Sequence, residues 1–304
     1  MSARVVNGVT VDDTFAEAFP MRGTAIVITA VDAAWAMEAA RSFTGFATSV
    51  IACGCEAAID AVLSPGDTPD GRPGVRILIF AMDSKGLEKQ LATRLGQCIL
   101  TSPSSACYAG LDGATRLPLG DAIRYFADGW QVSKRIGARH FWRLPVMEGE
   151  FLCEATTGLT KEAVGGGNLL LLAADAARAL AAAEAARDAI AALDGCIMPF
   201  PGGIVRSGSK IGGKYKGMMA STNDAYCPTL KGRAGSALPP DLFAGPEADD
   251  VAHGLYELHR PIAGSMPDGT PYHSGPSGQV PIGQPERDVV SGKLAQSLRS
   301  EGDT

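Results

Sequence analysis

The sequence predicts an α+β protein made of two lobes, each a mainly antiparallel sheet with helices packed on it. Three observations predict it. Short β-branched runs stand at Thr24–Ala30 and Val75–Phe80. Capped segments of helical period alternate with them. A second strand-then-helix pattern starts after about Glu150. A sheet with one buried face needs helices to cover it, so this alternation defines the class.

The elements follow in order. Asp13-Thr14-Phe15-Ala16-Glu17 has the spacing of a helix cap, an Asp or Thr followed by Glu. Thr24–Ala30 reads as a buried strand. Asp32 caps a helix from Ala33 to about Ser42, and Gly45 ends it. Thr48–Ala52 and Val75–Phe80 read as strands, and the Pro/Gly-rich stretch Ser64–Gly74 between them reads as a loop. Leu87–Cys98 has helical spacing and Phe141–Val146 returns to strand character. Strand, helix, strand, strand, helix, strand is close to a ferredoxin-like split βαβ. In the second lobe, Asn168–Ala173 is a strand and the alanine-rich Ala174–Leu193 a helix. Gly202–Val205 has the character of another strand. The expected division is residues 1–149, residues 150–236, and a tail at 237–304 rich in Pro, Gly, Ser and Asp. That tail carries no sustained apolar period and is expected to lack regular structure.

Composition bounds the function. The 304 residues are 46% apolar and 20% charged, enough to bury a sizeable core. A net charge of −6 argues against nucleic acid or an anionic membrane as partner. No apolar run approaches the roughly 18 residues of a membrane span. The first residues lack the apolar core of a secretory signal, and seven scattered cysteines fit reduced thiols. The expected location is therefore cytoplasmic.

The densest polar segment is Pro199-Phe200-Pro201-Gly202-Gly203-Ile204-Val205, followed after a basic glycine loop by Ser221-Thr222-Asn223-Asp224-Ala225-Tyr226-Cys227-Pro228. Amides, a carboxylate, a phenol and a thiol crowd between prolines and glycines, as in binding loops. Other motifs have simpler readings. Gly208–Tyr215 approaches a phosphate loop, but Tyr215 replaces the magnesium-binding hydroxyl. It is either a basic loop touching an anionic ligand or a surface turn. Cys53-Gly54-Cys55 is too tightly spaced for a zinc knuckle. Glu148-Gly149-Glu150 reads as solvated surface charge, with a functional pair as the alternative. Cys227 is either a buried inert thiol or a nucleophile.

Several blocks together resemble the formylmethanofuran:tetrahydromethanopterin formyltransferase family. They are Asn7-Gly8 with Asp13–Phe19, Thr44–Val50, Thr68–Gly74, Gly96–Cys98, Glu148–Phe151, Gly166–Asn168, Pro199–Val205 and Ser221–Thr229. They run in order from about residue 6 to residue 240. The alanine- and arginine-rich version is similar to that of bacteria oxidising one-carbon compounds, where the protein is a subunit of a formyltransferase/hydrolase complex. The resemblance implies two ferredoxin-like α/β sandwich lobes and formyl transfer between methanofuran and tetrahydromethanopterin. Both coenzymes would be cosubstrates, with no tightly bound cofactor or metal. It also implies a homo-oligomer, dimer or tetramer, alongside the other subunits of such a complex.

On the family motifs, Phe200, Pro201, Gly202, Gly203, Ser209, Lys210, Asn223, Asp224, Tyr226 and Cys227 become the substrate-binding set. No residue is assigned to catalysis. Glu257, in Gly254-Leu255-Tyr256-Glu257-Leu258, has a faint local similarity to the strand carrying the family's proton-transfer carboxylate. From about Ala237 the sequence departs from the family, as a shifted reading frame would make it. Two competing readings follow: a structural subunit of the complex impaired in catalysis, and a nucleotide-binding protein using the loop at Gly208–Lys214.

Overall fold

The computed structural model describes residues 3–12, 16–166, 168–193 and 195–206. Beyond these it describes 215, 217, 224–230, 235, 237–238, 255–259, 262–263 and 279–280. Strands β1 (Ala3–Val6) and β2 (Val9–Asp12) form a hairpin. The expected helix start at Asp13–Glu17 is not one: from Ala16 the chain is strand β3 (Ala16–Thr29). Residues 13–15 lie outside the described set. The cap spacing was met by chance; Ala16 and Glu17 pair across a ladder instead.

Helix α1 (Ala33–Thr44) forms as expected. The Asp32 carboxylate accepts from Trp35 N at 2.8 Å, and Gly45 N donates to Arg41 O at 2.8 Å. Its buried positions, Ala36, Ala39, Ala40 and Phe43, recur every three to four residues and face the sheet.

Thr48–Ala52 is not the expected strand. Ser49 caps a single turn, α2 (Val50–Cys53), which Gly54 ends in the left-handed region at φ 75°. A hydroxyl placed before a free N–H outweighed the β-branched side chains. The strand comes later, as β4 (Glu56–Leu63).

A one-turn helix at Pro65–Asp67 leads to β5 (Gly74–Ala81). Both faces of β5 are covered. Ile77 and Ile79 join the helix-side core, and Leu78 and Phe80 a second cluster on the opposite face. That is why the run is continuously apolar. Each fully buried aliphatic contributes about 1.5–3 kcal/mol. Helix α3 (Ser84–Arg94) is capped by Asp83 and runs into a π-type turn, Leu95–Ile99.

Then come β6 (Ala106–Ala109), β7 (Arg116–Pro118), α4 (Gly120–Ile123), β8 (Val132–Ile136), β9 (Arg139–Val146), β10 (Gly149–Glu154), β11 (Thr156–Gly158) and β12 (Thr160–Gly166). The second unit holds β13 (Asn168–Leu172), α5 (Ala176–Ala191), a one-turn helix at Pro201–Gly203 and β14 (Val205–Arg206). Only Val205 of the expected strand Gly202–Val205 is strand; the glycines before it close a turn. Beyond residue 237, where no element is expected from sequence, stand β15 (Leu255–His259), β16 (Ile262–Ala263) and β17 (Gln279–Val280).

Within the large sheet β4, β5, β3 and β6 are neighbours in that order and antiparallel. The sheet continues from β6 through β10 and β9 to β8. Strand β3 is long enough to hold β6 and β12 on one edge, at Ile26–Thr29 and Ala18–Gly23. Among the described pairs only β10 with β6 is parallel, so the sheet is mixed and mainly antiparallel. The second sheet runs β13-β15-β14. Its sequence of strand, helix, strand, strand and its spatial order repeat those of β3, α1, β4 and β5.

Candidate functional site

The segment after α5 is held from two sides. Ile197 is 2% exposed and packs with Met21, Ala25, Leu78, Phe80 and Ala163 on the sheet face away from α1 and α3. Val50, Ala58 and Leu111 pack against the same cluster. Met198 and Ile204 pack instead with Ala186 and Ile190 of α5 and Leu171 of β13. Neighbouring residues thus insert into the cores of both units. The turn Pro201–Gly203 follows directly.

Its shape depends on glycine. Gly202 has φ 64° and Gly203 φ 78°. A Cβ on Gly203 would lie 3.1 Å from Arg187 Cγ and 3.2 Å from Met198 Cβ; one on Gly202 would meet nothing within 4 Å. Gly203 N donates to Phe200 O at 2.7 Å, so this N–H is held within the turn rather than offered to a ligand.

The other expected site residues are placed as follows. Phe200 is half-buried and Pro201 and Gly202 are exposed. Asp224 and Tyr226 lie on a one-turn helix, Asp224–Tyr226, with Tyr226 half-buried. Cys227 follows, its sulfur 3.2 Å from the Thr229 hydroxyl. Ala237 N donates to Ala225 O at 2.8 Å, tying this piece to the chain beyond it. Glu257 is on β15, opposite Leu170 of β13 on one side and Val205 of β14 on the other. Glu257 therefore pairs with Val205, which follows Gly203 by two residues in the chain. Ser209, Lys210 and Asn223 lie outside the described residues, as does the Gly208–Lys214 loop.

A polar cluster in the first unit was not expected from sequence. The loop after Pro65–Asp67 carries Asp70, whose carboxylate accepts from the Thr29 hydroxyl at 2.7 Å, Arg72 Nε at 2.8 Å and the Tyr108 hydroxyl at 2.9 Å. Arg72 also donates to Thr29 Oγ1 at 3.0 Å and Ser104 O at 2.5 Å. Burial alone would raise the Asp70 pKa, but the bonds from Thr29, Arg72 and Tyr108 hold it below the ordinary 3.8. Burial, then the Asp70 charge, pushes the Tyr108 phenol well up. On the far side of Tyr108, Arg139 lies over its ring at 5.8 Å and pairs with buried Glu154 at 2.6 Å. Composition alone marks Ser64–Gly74 as a loop; nothing local shows that the Asp70 carboxylate is the hub.

The Glu148-Gly149-Glu150 carboxylates are both engaged in hydrogen bonds. Glu150 pairs with Arg143 at 2.6 and 2.7 Å, and Glu148 accepts from Ser104 N, around the β9–β10 turn. Among the described residues no three His, Cys, Asp or Glu side chains are grouped to hold a metal ion. Nor is any described helix long and apolar enough to cross a membrane.

Two sheet-and-helix units, with a glycine turn whose flanking residues pack into the cores of both, define an α+β protein whose candidate site is that turn. Residues 5–146 match the family model described as formylmethanofuran-tetrahydromethanopterin formyltransferase, and residues 149–259 match its proximal lobe. The chain belongs to the formylmethanofuran–tetrahydromethanopterin formyltransferase family. It is 60% identical over 238 residues to the Methylococcus capsulatus formylmethanofuran–tetrahydromethanopterin formyltransferase, covering 78% of this chain and 80% of that one. It is 61% identical over 246 residues to a subunit of the formyltransferase/hydrolase complex of Methylorubrum extorquens, covering 79% of each. The crystal structure of the formyltransferase/hydrolase complex (FhcABCD) from Methylorubrum extorquens with methylofuran contains a chain similar at TM-score 0.82 and 50% identity. That match covers 99% of this chain and 91% of the other. The proximal-lobe match reaches Glu257 and His259, beyond the point near residue 240 where the family-like sequence blocks stop.

Proposed function

We propose that this protein transfers a formyl group between methanofuran and tetrahydromethanopterin, as a subunit of a formyltransferase/hydrolase complex. Its identity to relatives bearing that activity carries the reading. The acceptor amine of this reaction is itself the nucleophile, so no acyl-enzyme is required. The protein aligns the two coenzymes, stabilises one oxyanion and handles one proton. Alignment alone supplies up to about 7–11 kcal/mol.

In this reading Phe200, Pro201, Gly202 and Gly203 form the wall the formyl group approaches. Asn223 and Tyr226 donate hydrogen bonds and Asp224 accepts one. Ser209 and Lys210 meet the acidic coenzyme tail, and Cys227 lines the pocket. Glu257, paired with Val205 just beyond the turn, takes the proton. Both lobes are ferredoxin-like: β4-β5-β3-β6 is one complete set, and β13, α5, β14 and β15 supply three strands of the second. Copies of the chain assemble as a homo-oligomer, in the cytoplasm.

The test is direct. The purified chain, mixed with formylmethanofuran and tetrahydromethanopterin, should yield formyltetrahydromethanopterin without added metal. Loss of the transfer on chelation, or a formylated protein in the intact-mass spectrum, would overturn the mechanism. A second reading, a structural subunit impaired in catalysis, draws on one observation: the family match ends at residue 259, before residues 260–304 of the chain. A chain that binds the other complex subunits yet gives no transfer would favour it.

A further inference from the structure

The Cys53-Gly54-Cys55 motif has no part in formyl transfer. Two thiols one residue apart are joined by a left-handed glycine, Gly54 at φ 75°. Consecutive Cα atoms are about 3.8 Å apart, and a chain bent at the middle residue brings the outer two inside the roughly 4.4–6.8 Å that a disulfide spans.

The two thiols stand in different surroundings. Cys53 ends α2 between exposed Ala52 and Gly54, 9% exposed itself, with its sulfur 3.6 Å from the Thr48 hydroxyl. Burial would raise its pKa, but hydrogen bonds at Ser49 and Thr48 and the Arg94 charge bring it below the ordinary 9.0. Cys55 is fully buried, and burial raises its pKa against the opposing Arg94. The charges of Cys53 and Glu56 add to that rise. Its thiol donates to Gln90 Oε1 at 3.7 Å, the same oxygen that accepts from Arg94 Nε at 3.2 Å. One arginine on α3 therefore acts on both sulfurs, and their surroundings make Cys53 the more acidic thiol of the pair.

We infer that Cys53 and Cys55 are a redox-active dithiol, with Cys53 the attacking sulfur and Cys55 the resolving one, and that the oxidant is a hydroperoxide. The Cys53 thiolate attacks the outer peroxide oxygen. The O–O bond breaks, an S–O bond forms, and the departing alkoxide or hydroxide takes a proton. The Cys55 sulfur then attacks Cys53, losing its own proton; the S–S bond forms and the S–O bond breaks, releasing water. Two thiols are oxidised by two electrons and one peroxide is reduced. Thiolate character governs the first step and proximity the second. Because Val50 of the same short helix packs against the Ile197 cluster, the closed form would disturb the face that carries the Pro201–Gly203 turn.

The full chain is treated with hydrogen peroxide near stoichiometric amounts, quenched by alkylation and digested with trypsin. The peptide from Ser42 to Arg76 contains Cys53 and Cys55 and no other cysteine. It should lose two hydrogens without gaining oxygen, and recover both after dithiothreitol. In Cys55→Ser the same peptide should stop at a sulfenic acid trapped by dimedone; in Cys53→Ser it should stay unoxidised. On the unoxidised wild-type chain, which needs no variant to fold, brief iodoacetamide treatment should label Cys53 several-fold faster than Cys55. Equal labelling of the two, or a peptide left dithiol while other cysteines oxidise, would overturn the inference. None of these readouts depends on formyl transfer.

Discussion

Val50, on the short helix α2, and Ile197, in the segment after α5, pack into one apolar cluster on the face of the first sheet away from α1 and α3. They are far apart in sequence and belong to different units. The cluster fixes the start of the segment that turns at Pro201–Gly203. Ile197→Ala should therefore cost about 2–5 kcal/mol of stability, the usual range for emptying a buried isoleucine. It should lower formyl transfer as well, because the turn loses its anchor. Thermal melting and a transfer assay check the pair; an unchanged rate beside a lowered Tm would show that the anchor does not set the site.

Gly203→Ala should be more damaging than Gly202→Ala. Both positions have positive φ, where a side chain costs about 1–2 kcal/mol. Only at Gly203 would the new Cβ also press on Arg187 Cγ and Met198 Cβ. The Tm difference between the two variants reads the packing contribution directly. Equal losses would mean that backbone strain alone is at work.

The parts of the fold set by local rules were legible in the sequence. Asp32, the run from Ala33 to about Ser42 and Gly45 predict α1, and the alanine-rich stretch predicts α5, where Ala179, Ala183, Ala186 and Ile190 form the buried stripe. Errors came where two local rules competed: Ser49 turned a β-branched run into a helical turn, and Glu17 has a cap's spacing but lies in β3. The sharing of one β3 edge by β6 and β12 is a long-range choice that no window of sequence contains. In the candidate site the glycine pair was legible as part of a polar loop segment, but its turn was not: Gly202–Val205 reads as a strand, and only Val205 is one. The anchoring role of Ile197 was not legible either, since its neighbours in space include Met21, Ala25 and Leu78, distant in the chain.

Asp70→Asn should flatten the acid limb of the stability curve. The carboxylate pKa is lowered in the folded chain, so its stabilising effect is complete above the ordinary 3.8 and is lost as pH falls through the lower folded value. The variant lacks that charge throughout, leaving Arg72 only its bonds to Thr29 and Ser104. It should lose about 1.5–3 kcal/mol at neutral pH, the range for hydrogen bonds to a charged group, and much less at acid pH. Denaturant melts at neutral and acid pH measure both. A constant difference between the two conditions would mean that Asp70 acts by shape rather than charge.

Tyr226→Phe and Asn223→Ala should lower the transfer rate far more than the melting temperature. Removing one donor to a developing oxyanion costs about 2.7–4 kcal/mol of barrier, or roughly a hundred- to a thousandfold in rate. An average substitution costs about 1 kcal/mol of stability. Tyr226 is half-buried on a one-turn helix, so losing its hydroxyl leaves the ring in place. Cys227→Ala sets the contrast. Its sulfur touches the Thr229 hydroxyl, and direct attack by the acceptor amine needs no thiol. That variant should keep most of its activity. If Cys227→Ala were inactive while folded, and Tyr226→Phe unimpaired, the reaction would run through an acylated cysteine and the proposed direct transfer would be wrong.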